Sequence, residues 1–161
     1  MWRRPATVQI VVDDAQRDRP IDADRWSALA RAVLGAEGIT GNAELSIRFV
    51  DEPEIAQLNA EHLGHVGPTD VLSFPIEDDP HRPAGSSGAP VLLGDIIICP
   101  EVAFRNAPDH AGTYDAELAL LIVHGILHLL GFDHESDDEA TEMEGREAAL
   151  LAAHFVPSGT T

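Results

Sequence analysis

Eleven residues constrain this chain more than any others: His124-Gly125-Ile126-Leu127-His128-Leu129-Leu130-Gly131-Phe132-Asp133-His134. Side chains four residues apart share one face of a helix, so His124 and His128 can present two imidazoles to one point. Gly131 can take the left-handed conformation that ends a helix. The chain then doubles back, and His134 can supply a third nitrogen from outside the helix. Three neutral nitrogens with one open position describe a catalytic zinc site. The helix is expected to start at Thr113 or Asp115 and to run to about Leu130. Leu118, Leu120, Leu121, Ile122, Val123, Ile126, Leu127, Leu129 and Leu130 make it apolar nearly all round. Such a helix is buried, and a buried helix is a rigid platform for ligands.

The rest of the chain reads as a short alternation of strands and helices. Strands are expected at Thr7–Val12, ended by Asp13-Asp14, at Leu45–Val50, at Val71–Phe74 and at Ile96–Ile98. The last is apolar on both faces and so belongs in the middle of a sheet. Asp22 or Asp24 caps a helix to about Glu37, with Trp26, Leu29, Ala30 and Val33 on its apolar side. Asp51 and Pro53 suit the start of a short helix to about Glu61. An acidic helix is expected from about Asp138 to Ala153. The proline-, glycine- and serine-rich stretch 77–90 reads as a mobile loop, not a boundary, because core-like sequence resumes at Val91. Residues 157–161 read as a frayed tail. The 161 residues are therefore expected to form one domain, large enough to bury roughly 68–70% of the unfolded surface.

No apolar run approaches the ~20 residues of a membrane span. No secretory signal is expected after Met1-Trp2-Arg3-Arg4-Pro5, and the single cysteine, Cys99, cannot form an internal disulfide. Both favour the cytoplasm. Ten basic residues, all arginine, face 28 acidic ones, for a net charge of −18. That argues against a general nucleic-acid binder with a broad basic footprint. It still permits a local RNA contact, because charges beyond ~8 Å are largely screened at physiological salt.

The histidine spacing is that of the metzincin signature H-E-x-x-H-x-x-G-x-x-H, with one difference. Gly125 stands where zinc proteases carry the glutamate that activates water. Peptide hydrolysis needs that base and a later proton donor, and glycine can be neither. Phosphodiester cleavage needs charge stabilisation on phosphoryl oxygens, which a metal and a nearby cation supply. Zinc is the default for three imidazoles, although iron, nickel or copper would accept the same ligands. Asp133 has two open readings: it orients a histidine ring or a water, or it is a turn aspartate at the helix end. The histidines at 62, 65, 81, 110 and 154 lack ligand spacing and read as surface or loop residues. Cys99 reads as a small core residue.

On these residues the chain resembles the YbeY family of bacterial endoribonucleases. His124 to His134 is similar to its HGxLHLxGYDH signature, and Pro68-Thr69-Asp70-Val71-Leu72-Ser73-Phe74-Pro75 to its PTDVLSFP block. Gly94-Asp95-Ile96, Glu117-Leu118 and Leu58-Asn59 fit as well, so the resemblance spans roughly Leu45 to Leu151. It implies an α+β fold, with a small mixed β-sheet packed with helices and a zincin-like metal helix. It implies one zinc per chain on His124, His128 and His134, and cleavage of single-stranded RNA. The implied role is maturation of the 3′ end of small-subunit ribosomal RNA and ribosome quality control. The partners would be that RNA, the small ribosomal subunit and ribosomal or assembly-factor proteins, with no membrane. One position departs from the pattern. Leu63 stands where the family carries an arginine, leaving His62 or His65 as the candidate cation for phosphate. Two other classes remain at this stage: a zinc peptidase with Glu117 or Asp133 as base, and a ribosome-assembly factor whose metal is mainly structural.

Overall fold

The computed structural model describes residues 7–83 and 88–157. Four strands form one mixed sheet in the order β1-β2-β4-β3. They are β1 (Val8–Asp14), β2 (Ala43–Phe49), β3 (Val71–Pro75) and β4 (Val91–Ile98). β1, β2 and β4 are parallel, and β3 runs antiparallel to β4 at the sheet edge. Around them lie α1 (Ala23–Ala36), α2 (Glu52–Leu63), α3 (Pro100–Asn106), α4 (Tyr114–Leu129) and α5 (Asp137–His154). The architecture is the expected α+β arrangement.

Side-chain alternation explains the layers. Ile96 and Ile98 of β4 join Leu45, Ile47 and Phe49 of β2 in a cluster with Trp26, Val33, Leu118, Ile122 and Ile126. That cluster sits between the sheet and α1, α4 and α5. Ile97 points the other way, into a smaller cluster with Val50, Ile55, Leu72, Cys99 and Val102. β4 is thus apolar on both faces because both faces are covered. Cys99 is a core residue, and burial pushes its thiol pKa up.

The caps fall where short polar side chains precede apolar runs. Asp22 accepts from Arg25 N at 3.2 Å, Asp51 from Glu54 N at 3.0 Å, and Thr113 from Ala116 N at 3.1 Å. Ser136 does the same for α5, accepting from Glu139 N at 3.1 Å. Three boundaries differ from expectation. β1 does not stop at Val12: Asp13 and Asp14 continue the parallel ladder opposite Arg48 and Phe49, and Arg48 Nε lies 3.2 Å from Asp13 Oδ2. β4 begins five residues before Ile96, because a register shift against β2 accommodates Gly94 within the strand. α3 was not expected at all; Pro100 opens it directly after β4.

The stretch 77–90 is anchored where it is described. His81 Nε2 lies 2.9 Å from the Glu37 carbonyl oxygen, Arg82 donates to Glu77 at 2.8 Å, and Asn42 donates to the Gly88 carbonyl at 2.8 Å. The remainder of the expected loop, 84–87, and most of the expected tail, 158–161, lie outside the described residues.

Candidate metal centre

His124 and His128 sit one turn apart on α4, half-buried, and His134 follows from the exposed segment beyond it. One ring nitrogen from each lies within 4.8 Å of the other two, so these three side chains could hold a single metal ion. The turn that gathers them has a specific hydrogen-bond pattern. Gly131 takes φ +100°, its N–H donates to the His128 carbonyl at 3.1 Å, and Phe132 N donates to the Leu127 carbonyl at 2.9 Å. This is a Schellman turn with glycine at the left-handed position. It also returns the Phe132 carbonyl to His128, whose Nδ1 lies 3.1 Å from that oxygen. The same turn therefore ends α4, orients one ligand and delivers another.

The donor set fits a cation. His128 Nδ1–H donates to a carbonyl, so its Nε2 carries a bare lone pair. His124 Nδ1 faces Glu147 Oε1 at 3.3 Å, which fixes the same tautomer. The two Nε2 atoms are only 3.1 Å apart. Two lone pairs facing each other repel, and a shared positive ion removes the conflict. Burial, with the neighbouring His124 and His134 rings adding to it, pushes the His128 pKa down and keeps that ring in the neutral, ligating form.

Glu147 is the site residue that local reading of the sequence missed. It lies on α5, its side chain is only 10% exposed, and it lies against the outer nitrogen of His124. A carboxylate behind a histidine holds the ring's orientation and raises its basicity.

The other expected candidates separate clearly. Asp133 is exposed and its carboxylate accepts from His134 N at 2.7 Å, the geometry of a turn aspartate. Glu117 is fully buried against His110 and lies two helical turns, ~10 Å, before His124, so it is placed as a structural group and not as a base for the metal. His110 is accordingly more than a loop residue: its Nδ1 engages both Glu117 oxygens, and that hydrogen bond pushes its pKa up. Leu63 ends α2 and lines the cleft of about 380 Å³ that also contains His124, His128 and His134. Its neighbours do not line it: His62 packs against the Phe74 ring with centroids 5.0 Å apart, and His65 is exposed. No arginine lines this cleft among the described residues.

Gly125 faces the sheet. A Cβ there would lie 2.9 Å from Ile96 Cγ2, 3.0 Å from Cδ1 and 3.1 Å from Cγ1. A protease glutamate is not merely absent from position 125: any side chain there would have to displace Ile96 of β4.

Comparison with known proteins agrees with this geometry. The family model described as Endoribonuclease YbeY matches residues 11–154. A curated relative of that description from Nocardioides sp. is 46% identical over 136 residues, 83% of this chain and 90% of the relative. Another from Moorella thermoacetica is 43% identical over 146 residues, covering 88% and 94%. A solution structure from Thermotoga maritima superposes with a TM-score of 0.57 at 24% identity, over 94% of this chain and 99% of that one.

Proposed function

We propose, from the premise that this chain belongs to the endoribonuclease YbeY family and is a hydrolase acting on RNA, that it is a zinc-dependent endoribonuclease selective for single strands. The observation that carries the reading is three convergent imidazoles lining one cleft, on a helix whose position 125 is a glycine packed on the sheet where zinc proteases carry their general base. Zinc, when bound, supplies a Lewis acid for a phosphoryl oxygen. The chain does the rest. His124 and His128 are held in orientation by Glu147 and the Phe132 carbonyl, and His134 closes the set. Asp133 fixes the backbone that carries His134. The cleft runs along the edge strand β3, where Leu72, Ser73 and Pro75 form its wall.

The family resemblance extends the proposal to small-subunit ribosomal RNA 3′-end maturation and ribosome quality control, with the small subunit as partner. Among the described residues no helix is long and apolar enough to cross a membrane, which accords with the cytoplasmic role we assign. We take residues 1–161 as one functional domain. That no arginine lines the cleft among the described residues favours a second reading, an assembly factor whose metal is chiefly structural.

The deciding experiment incubates the purified protein with an unstructured RNA, a matching duplex and casein, with and without chelator and zinc. Cutting of the single strand alone, lost with chelator and restored by zinc, is expected. Full metal occupancy with no RNA cleavage would favour the assembly factor, and chelator-sensitive proteolysis would overturn both.

A further inference from the structure

A second cavity, of about 440 Å³, adjoins the triad cleft; of its lining only His124 and Glu147 have a part in the chemistry above. Its size is within the ~300–1,000 Å³ of small-molecule sites. It shares Asp70, Val71 and His124 with the triad cleft and otherwise opens between α4 and α5. Its apolar walls come from Leu120, Leu121 and Leu151.

The polar groups of this cavity are nearly all acceptors. Glu147, whose side chain is nine-tenths buried, spends Oε1 on His124, and its Oε2 has no hydrogen bond among the described residues. Asp70 spends Oδ1 on Val71 N at 2.8 Å and on the Thr69 hydroxyl at 3.4 Å, which leaves Oδ2 without a partner among the described residues. Glu144 stands at the exposed rim with no ion pair among them. Among the described residues His110 is the one lining group able to donate, and it does so in its charged form, which Glu117 favours: Nδ1–H is held by Glu117 and Nε2–H faces the cavity.

Three carboxylates exclude a phosphate from this cavity. They call for a flat, largely apolar group with a donor edge, and an unstacked nucleobase is such a group. Among the four bases, guanine alone presents two adjacent donors, N1–H and N2–H, for which the unspent carboxylate oxygens are acceptors. Adenine and cytosine place a lone-pair nitrogen beside their amino group. Uracil sets its N–H between two carbonyls. Each of these turns an acceptor toward an acceptor. Guanine O6, next to N1, is the complement of a donor at His110.

We propose that this cavity is a guanine-selective base pocket, taking a guanine of the same RNA strand whose scissile phosphate lies at the triad. The inference rests on the nuclease reading of the triad, and its test separates the two.

In the first arm, guanosine, inosine, adenosine, cytidine and uridine are titrated into the full-length protein and followed by amide chemical shifts. Guanosine is expected to shift Leu121, Ala148 and Leu151 and to bind about tenfold or more tightly than adenosine or uridine. Inosine, which lacks the N2 amino group, should fall between. Ala148→Trp, made at an exposed position on the cavity wall, should abolish these shifts with zinc content unchanged. Should that variant fail to fold, Glu144→Gln at the rim is expected to weaken guanosine selectively. In the second arm, a polyuridine strand carrying one guanosine should be cut at a fixed offset from it, about tenfold faster than polyuridine alone. Equal binding of all nucleosides, guanosine shifts confined to other residues, or cutting indifferent to guanosine would overturn the pocket and leave the nuclease standing. Guanosine-selective binding without cleavage of any RNA would overturn the nuclease and leave the pocket.

Discussion

The contact between Gly125 and Ile96 yields a quantitative prediction. Alanine at 125 gains helix propensity of about 1 kcal/mol over glycine. Its Cβ, however, would meet three Ile96 carbons at 2.9–3.1 Å in a fully buried layer. Overpacking of this kind costs about 1–3 kcal/mol, so Gly125→Ala should destabilise by up to about 2 kcal/mol. Ile96→Ala alone should cost about 2–5 kcal/mol, the transfer and cavity terms of a buried isoleucine. In the Ile96→Ala background all three clashing atoms are gone. Gly125→Ala should there stabilise by about 1 kcal/mol, with propensity unopposed and some of the cavity filled. The cycle thus has a coupling energy of about 1–3 kcal/mol, well outside the ~0.5 kcal/mol scatter of independent sites. Urea unfolding of the four proteins at fixed, saturating zinc measures it, with constant m-values as the check that the unfolded states are comparable. If Gly125→Ala stabilises both backgrounds equally, α4 is not pressed against β4, and the steric argument against a general base at 125 fails with it.

Leu63→Arg should raise single-strand RNA cleavage about 10- to 100-fold in kcat/KM, the value of one charge-assisted hydrogen bond to phosphate in a cleft that no arginine lines among the described residues; an unchanged rate would place the phosphate elsewhere. Glu117 raises the pKa of His110, so the pair's contribution to stability is full below pH ~6.5 and fades as pH rises through the folded value. The stability gap between wild type and His110→Ala should therefore narrow from pH ~6 to ~8.5 in denaturant titrations, and a gap that widens would reverse the assignment. Gly131→Ala, at φ +100° with open space around it, should cost about 1–2 kcal/mol from backbone strain and lower zinc affinity as well. Loss of stability with zinc affinity intact would show that His134 does not depend on that turn.

The metal ligands were legible because their encoding is local. His124, His128, Gly131 and His134 span less than a dozen residues, and helix periodicity plus one left-handed glycine fixes where they point. Glu147 was not legible in that way. It is 23 positions from His124 and sits in a helix that reads as acidic surface. Its only trace is spacing: Met143, Glu147 and Leu150 form the buried stripe of α5, so a glutamate occupies a place the pattern reserves for an apolar side chain. A similar trace marked Glu117 within the apolar run of α4. The early half of β4 was hidden by Gly94, which reads as a strand breaker but is required where it stands, because a Cβ there would lie 2.5 Å from the Phe74 carbonyl oxygen. At Asp13 and Asp14, local polarity predicted a strand end, and pairing with β2 overrode it. The position of Leu63 beside the triad followed from the resemblance; the structure adds that neither neighbouring histidine reaches the cleft wall.

The Schellman turn after α4 makes the ligand set and the cleft two structures of different kinds. The ligands are joined by ten residues of chain and by hydrogen bonds no more than five residues apart, so little loop entropy opposes their assembly once α4 exists. The walls are assembled from segments far apart in sequence: Leu63 from the end of α2, Ser73 from an edge strand, and Glu147 behind His124 from α5. Ion capture is thus a short-range property of the chain, whereas the shape offered to a substrate is a long-range one. The first can persist through rearrangements that erase the second, and evolution can remodel what is cut without renegotiating how the ion is held.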